Sequence, residues 1–228
     1  MTPSGDVELR VSPSADAARR AAAGLLAEAA AQGGHLAVSG GSTPGPAYEV
    51  AASLQPDWRR TELWFADERC VVPDDERSNY RLVRERLLHR LQTGPAVEHR
   101  IRGELPPDDA AAEYELELRG VVLDVVLLGI GADGHTASLF PNDPALEDEI
   151  RRAVAVRRPD LDRVTLTLAP LRDARVVLFL AVGADKADAV RRAFGERPSP
   201  ATPASLVRSK SGTTYAFLDE TAASALKG

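Results

Sequence analysis

The sequence predicts an α/β fold with a mostly parallel sheet, on three observations. Short strand-like runs alternate with helix-like segments along the whole chain. The breaks between them are short. One run, 123–129, is rich in Val and Leu, as a central strand covered on both faces must be.

The elements follow in order. Residues 7–11 alternate and read as a first strand. Residues 15–31 are rich in alanine and read as a helix, with Ser14 as N-cap and Gly33-Gly34 as its stop. Residues 36–39 form a short apolar strand running into Gly40-Gly41-Ser42-Thr43-Pro44, and a helix follows over 45–54. The strand 63–66 ends at Asp67-Glu68-Arg69. A helix over 78–91 is capped by Ser78. Residues 97–101 are a strand candidate, and 107–119 a helix with Pro and Asp in its first turn. After the run at 123–129 come strands at 153–156, 163–168 and 176–182, then a helix over 184–194. A Pro-rich loop at 196–203, a strand at 213–218 and a short helix to residue 225 close the chain.

With 228 residues, one domain spanning 1–228 is the expectation, and such a chain buries a core without staples. A net charge of −6 gives no global reason to expect nucleic acid or a membrane surface as partner. Cys70 is the single cysteine, so no internal disulfide and no CxxC metal pair is possible. Residues 1–10 contain no apolar h-region and do not read as a signal peptide. The longest apolar stretch, 121–132, contains Asp124 and falls short of the roughly 20 residues that span a bilayer.

Three loops carry chemistry. In the first, Gly40 and Gly41 let the backbone turn tightly with its N–H groups inward, Ser42 and Thr43 add hydroxyl donors, and the next helix aims its positive end at the loop. That is an anion site suited to phosphate, although similar turns also join strands to helices with no ligand. It is not a Walker A motif, so ATP is not indicated. Lys186, at the start of the helix predicted over 184–194, sits where the helix dipole disfavours a cation, a placement that an anion would offset.

The second loop, Gly129-Ile130-Gly131-Ala132-Asp133-Gly134-His135, follows the most buried-looking strand. It contains GxGxxG, but Pro141 and Pro144 interrupt the helix that a dinucleotide fold requires, so a nicotinamide cofactor is not expected. Asp133 stands two residues before His135. A neutral imidazole takes a proton from water near neutral pH, and a carboxylate beside it fixes its tautomer. A loop histidine that bonds only backbone is the alternative. No HExxH or spaced His/Cys set suggests a metal, and neither Ser42 nor Ser138 lies in a GxSxG elbow. In the third loop, Arg69 offers a fork for phosphate or carboxylate, or belongs with Asp67 and Glu68 to a capping cluster. For Glu68 the structural role is preferred.

Taken together, the strings SGGSTP (39–44), WFADERCVVPDDERSNYRL (64–82), LLGIGADGHTASLFP (127–141), VGADKADAV (182–190) and PASLV (203–207) closely resemble the 6-phosphogluconolactonase family, in family order and over nearly the whole chain. The resemblance implies a single α/β domain with a Rossmann-like, mostly parallel central sheet flanked by helices. It implies cytoplasmic hydrolysis of 6-phospho-D-glucono-1,5-lactone in the oxidative pentose phosphate pathway, with no cofactor. His135 would be the base, oriented by Asp133. Gly40, Gly41, Ser42, Thr43 and Lys186 would surround the phosphate or nearby sugar oxygens, Arg69 would contact substrate, and Asp67 would shape the pocket. The expected partner is the small lactone, for a monomer or small homo-oligomer. One departure is Phe217 in the last strand, where relatives often carry tryptophan. Two rivals use the same phosphate logic. In amino-sugar-phosphate deaminases the histidine loop reads GHIAFNEP, whereas here GHTASLFP puts Leu139 and Phe140 in place of Asn and Glu. A non-catalytic sugar-phosphate sensor would have no need of the Asp133–His135 pair.

Overall fold

The computed structural model describes residues 6–226. The ends of the 1–228 span, including the first five residues read above for a signal peptide, lie outside the described residues. Ten strands form: β1 (Val7–Ser12), β2 (Gly34–Val38), β3 (Thr61–Phe65), β4 (Asp67–Arg69), β5 (Val97–His99), β6 (Val125–Leu128), β7 (Ala153–Val156), β8 (Arg163–Leu166), β9 (Val176–Ala181) and β10 (Thr213–Asp219). The six α-helices are α1 (Ala15–Gln32), α2 (Gly45–Leu54), α3 (Asn79–Arg86), α4 (Pro107–Glu117), α5 (Leu168–Asp173) and α6 (Ala187–Val190).

Seven strands make one sheet in the order β1-β10-β9-β6-β2-β3-β5, and every pairing in it is parallel. This is the expected α/β sheet. The strand β6 is buried at all four positions, as its Val-Val-Leu-Leu sequence requires of a strand covered on both faces. The chain runs outward in opposite directions from the β2/β6 pair: β2 leads through α2 to β3 on one side, and β6 leads to β9 on the other. That is the switch point where loops diverge and leave a crevice at the carboxyl ends of the strands.

Helix α1 begins where Ser14 Oγ accepts the Ala17 N–H at 3.2 Å. Its inner face is Ala18, Ala22, Ala23, Leu26, Ala27 and Ala30, small residues that let it lie close to α2 and the sheet. The other face is held by α4, whose Tyr114 hydroxyl donates to Phe65 O and accepts from Phe65 N, both at 2.8 Å. Trp64 packs on Tyr114 there, with ring centroids 5.9 Å apart, and both are fully buried.

The strands at 153–156 and 163–168 do not join this sheet. With β4 they form a second, antiparallel sheet, β4-β8-β7. Only residues 157–162 connect β7 to β8, which is enough for a hairpin and too few for a parallel crossover of a dozen or more. The end of the predicted strand, Leu168, instead opens α5, which carries Pro170 in its first turn. The helix expected over 184–194 is broken into a 3-10 turn (Ala184–Lys186), the single turn α6, and a π-helical segment (Arg191–Gly195). Lys186 therefore ends a 3-10 turn, one residue before α6. The predicted helix over 78–91 likewise stops at Arg86 and resumes as a 3-10 turn at Leu88–Arg90. Among the described residues, no helix is long and apolar enough to cross a membrane.

Candidate active site

The carboxyl ends of four adjacent strands, β9, β6, β2 and β3, open into one cleft. The loop after β2 supplies Gly40, Gly41, Ser42 and Thr43. The short strand β4 that follows β3 supplies Asp67 and Arg69, the loop after β6 supplies His135, and the turn after β9 supplies Lys186. Eight of the nine residues singled out in the sequence thus line a common wall. The ninth, Asp133, stands behind His135.

The first loop is fixed at its root. Ser39 N–H donates to the Tyr48 hydroxyl at 3.1 Å, the hydroxyl donates back to Ser39 O at 2.6 Å, and Ser39 Oγ donates to Leu127 O at 2.9 Å. Gly40 is pressed against Asn79, so closely that a Cβ on it would lie 1.8 Å from Asn79 Oδ1. The loop runs directly into α2, whose N-terminus has no side-chain cap. The positive end of that helix, with Lys186 and Arg69 on the cleft wall, favours an anion.

The Asp67-Glu68-Arg69 segment divides its labour. Asp67 is buried, with Oδ1 accepting from Asn79 Nδ2 at 3.0 Å and Oδ2 from Ser138 Oγ at 2.6 Å. Arg69 is anchored by donating from Nη1 to Arg77 O at 2.7 Å. Glu68 points away, caps α3, and serves the structure, as its sequence context suggests. It accepts from the backbone N–H groups of Arg69, Asn79 and Tyr80 at 2.7, 2.7 and 2.8 Å and from Ser78 Oγ at 3.0 Å. Burial pushes its carboxyl above the ordinary range, against the pull of these donors. Glu68→Gln would turn an amide NH2 towards two of them. Unsatisfied buried groups cost about 1–3 kcal/mol, and for a chain of this size each kcal/mol moves Tm by roughly 2–4 °C. A Tm lower by about 5 °C in calorimetry is the expected result, and an unchanged Tm would contradict it.

The histidine loop closes on itself through Gly131 N–H to His135 O at 2.8 Å and Gly134 N–H to Gly131 O at 2.9 Å. Within it, His135 Nδ1 and Asp133 Oδ1 are 2.6 Å apart, and the same oxygen accepts the His135 backbone N–H at 3.1 Å. Partial burial raises the Asp133 carboxyl, but the His135 N–H and the charge of the imidazole outweigh it, and the net displacement is downward. Asp133 is therefore a carboxylate near neutral pH and accepts only. The proton of a neutral His135 ring then sits on Nδ1, which leaves Nε2 as a free base. The ring packs against Phe140 with centroids 4.9 Å apart.

Two contributors were not singled out in the sequence. Asn79 and Ser138 both hold Asp67, and Asn79 also lines the cleft. The first was visible only inside the SNYR string. The second lies outside any GxSxG elbow, and its hydroxyl donates to a carboxylate. The other histidines belong elsewhere: His99 stacks on Trp64 at 3.7 Å with its ring nitrogens on Glu62 and Glu117. Among the described residues, no group of three or more His, Cys, Asp and Glu side chains is placed to hold a metal ion.

The model of the glucosamine-6-phosphate isomerases/6-phosphogluconolactonase family matches residues 12–216. The chain belongs to this family. Within it, the human 6-phosphogluconolactonase is 38% identical over 203 residues, covering 82% of this chain and 79% of that protein. A solved 6-phosphogluconolactonase from Trypanosoma brucei superposes with a TM-score of 0.81 at 28% identity, over 97% of this chain and 99% of that one. A monomeric glucosamine-6-phosphate deaminase superposes with a TM-score of 0.85 over 96% of this chain and all of the other, at 20% identity, a likeness of fold.

Proposed function

We propose that this chain hydrolyses 6-phospho-D-glucono-1,5-lactone to 6-phosphogluconate, within the oxidative pentose phosphate pathway. The observation that carries the reading is the 2.6 Å Asp133–His135 pair, whose ring opens into the same cleft as the Gly40–Thr43 loop and Lys186. The phosphate is held by that loop, the end of α2 and Lys186. Nε2 of His135 takes a proton from water as the water oxygen attacks the lactone carbonyl, and Asp133 stabilises the imidazolium that forms. The tetrahedral intermediate collapses with cleavage of the bond to the ring oxygen, which takes the proton back from His135. Arg69 and loop N–H groups are the donors available to the developing oxyanion. The step balances with water, acid and base alone, so no cofactor is invoked.

The deaminase reading lacks the extra acid of its loop: Leu139 is fully buried and Phe140 packs on His135. A sensor would leave the oriented pair without a use. We place the chain in the cytoplasm as one domain over 1–228, a monomer or small homo-oligomer acting on a small sugar phosphate without nucleic acid or membrane. The net charge of −6 gives no global reason to expect nucleic acid or a membrane surface as partner. Hydrolysis of freshly generated lactone well above its spontaneous rate, with no ammonia released from glucosamine 6-phosphate, is the expected outcome. Ammonia release without lactone turnover would transfer the chain to the deaminase reading, and binding without either would make it a sensor.

A further inference from the structure

Arg192 lies in the π-helical segment Arg191–Gly195 and reaches back to the histidine loop, 60 residues earlier. Its Nη1 donates to Asp133 O at 3.1 Å and to Thr202 Oγ1 at 2.9 Å, and its Nη2 donates to Ala132 O at 3.0 Å. Its Nε donates to Asp188 Oδ2 at 2.9 Å, so all three guanidinium nitrogens are engaged. The bonds that close the loop internally use the carbonyls of Gly131 and His135 and leave those of Ala132 and Asp133 aside. Among the described residues, Arg192 is their only donor. The loop is also seated hard against this wall: Gly134 has φ +94°, and a Cβ there would lie 2.9 Å from Thr202 Cγ2 and 3.0 Å from Arg192 Nη1. A π segment inserts an extra residue per turn, which re-aims side chains and recurs at functional sites.

We infer that Arg192 is a positioning residue for the reaction: by holding the carbonyls of Ala132 and Asp133 it fixes the aim of the Asp133–His135 pair. It does not line the cleft and touches no reacting atom. The inference rests on the proposed role of His135. It also places the support of the base and the cleft cation Lys186 on one short stretch of chain, six residues apart.

The test compares Arg192→Met, Arg192→Lys and, as a control for charge and helix, Arg191→Met. Arg191 is paired with Asp188 and Glu196 on the surface and does not reach the loop. Misplacement of a catalytic group by about 1 Å costs up to roughly 100-fold. We therefore expect Arg192→Met to lower kcat for lactone hydrolysis by about 10–100-fold with KM within about threefold of wild type. Arg192→Lys should recover part of the loss, because an ammonium can still reach one carbonyl, and Arg191→Met should keep wild-type kcat. Amide exchange at Gly131 and Gly134, the N–H groups bonded inside the loop, should quicken about tenfold or more in Arg192→Met while exchange in the sheet stays unchanged. Wild-type kcat in a folded Arg192→Met overturns the inference whatever the exchange. So does an equal loss in Arg191→Met, or a raised KM at unchanged kcat. If the wild-type chain does not turn over the lactone, the proposed function fails on its own, and amide exchange alone decides whether the clamp exists.

Discussion

His135→Ala should abolish most lactone hydrolysis above the spontaneous rate, lowering kcat by about 10²–10⁴-fold, the range supplied by a positioned general base. Its fold should survive, because the ring sits on an exposed loop, 35% accessible, and the loop is closed by backbone bonds. KM should move little, since the proposed function assigns the phosphate to other loops. The pH dependence has a defined sign. The Asp133 carboxyl is held below its ordinary range, so it stays ionised as the pH falls and keeps its bond to His135. Protonation of Asp133 therefore contributes to any acid-side loss of rate only below the ordinary carboxylate range. Steady-state kinetics with stopped-flow correction for spontaneous hydrolysis checks both points. A folded variant with wild-type kcat would remove His135 from the mechanism while leaving the activity in place.

Gly131→Ala should do comparable damage without removing any reacting group. A Cβ at this position would lie 2.1 Å from His135 Nδ1 and 2.6 Å from Asp133 Oδ1, so the pair has to separate. The backbone of Gly131 lies outside the left-handed region, so alanine brings no conformational penalty of its own. We expect kcat to fall by about 100-fold or more, since displacement of this order disrupts a near-attack geometry, with Tm within a few degrees of wild type. Retained kcat would mean that the close contact between the two side chains is dispensable.

Much of this architecture is legible in the sequence because it is local. The bounds of α2 and β7 come directly from the chain, one from its Gly and Pro punctuation and the other from Ala-Val-Ala-Val between polar flanks. The loops that carry the chemistry are legible for the same reason: glycines and polar residues stand at the ends of apolar strands. What is hidden is non-local. β4 is only Asp-Glu-Arg, with no strand pattern, and becomes a strand by pairing with β8 almost a hundred residues later. Asp67 is completed by Ser138, 71 residues away. The stretch after Gly183 has an ordinary helical composition, and its break-up places Arg192 against carbonyls 60 residues earlier, a match that no local window contains.

The edge position of β1 has a consequence for how the chain is made. β1 is bonded to one strand only, β10, about 200 residues further on. At translation rates of about 5–20 residues per second, β1 waits roughly 10–40 s after synthesis with its row of amide groups unpaired. The central strands β2, β3 and β6 emerge and can find one another in that interval, whereas the first strand can dock only when the last has arrived. Such a long-range closure is slow by its nature. The N-terminal strand is then the last piece added to the sheet, and the segment a nascent chain exposes longest to chaperones and to neighbouring copies.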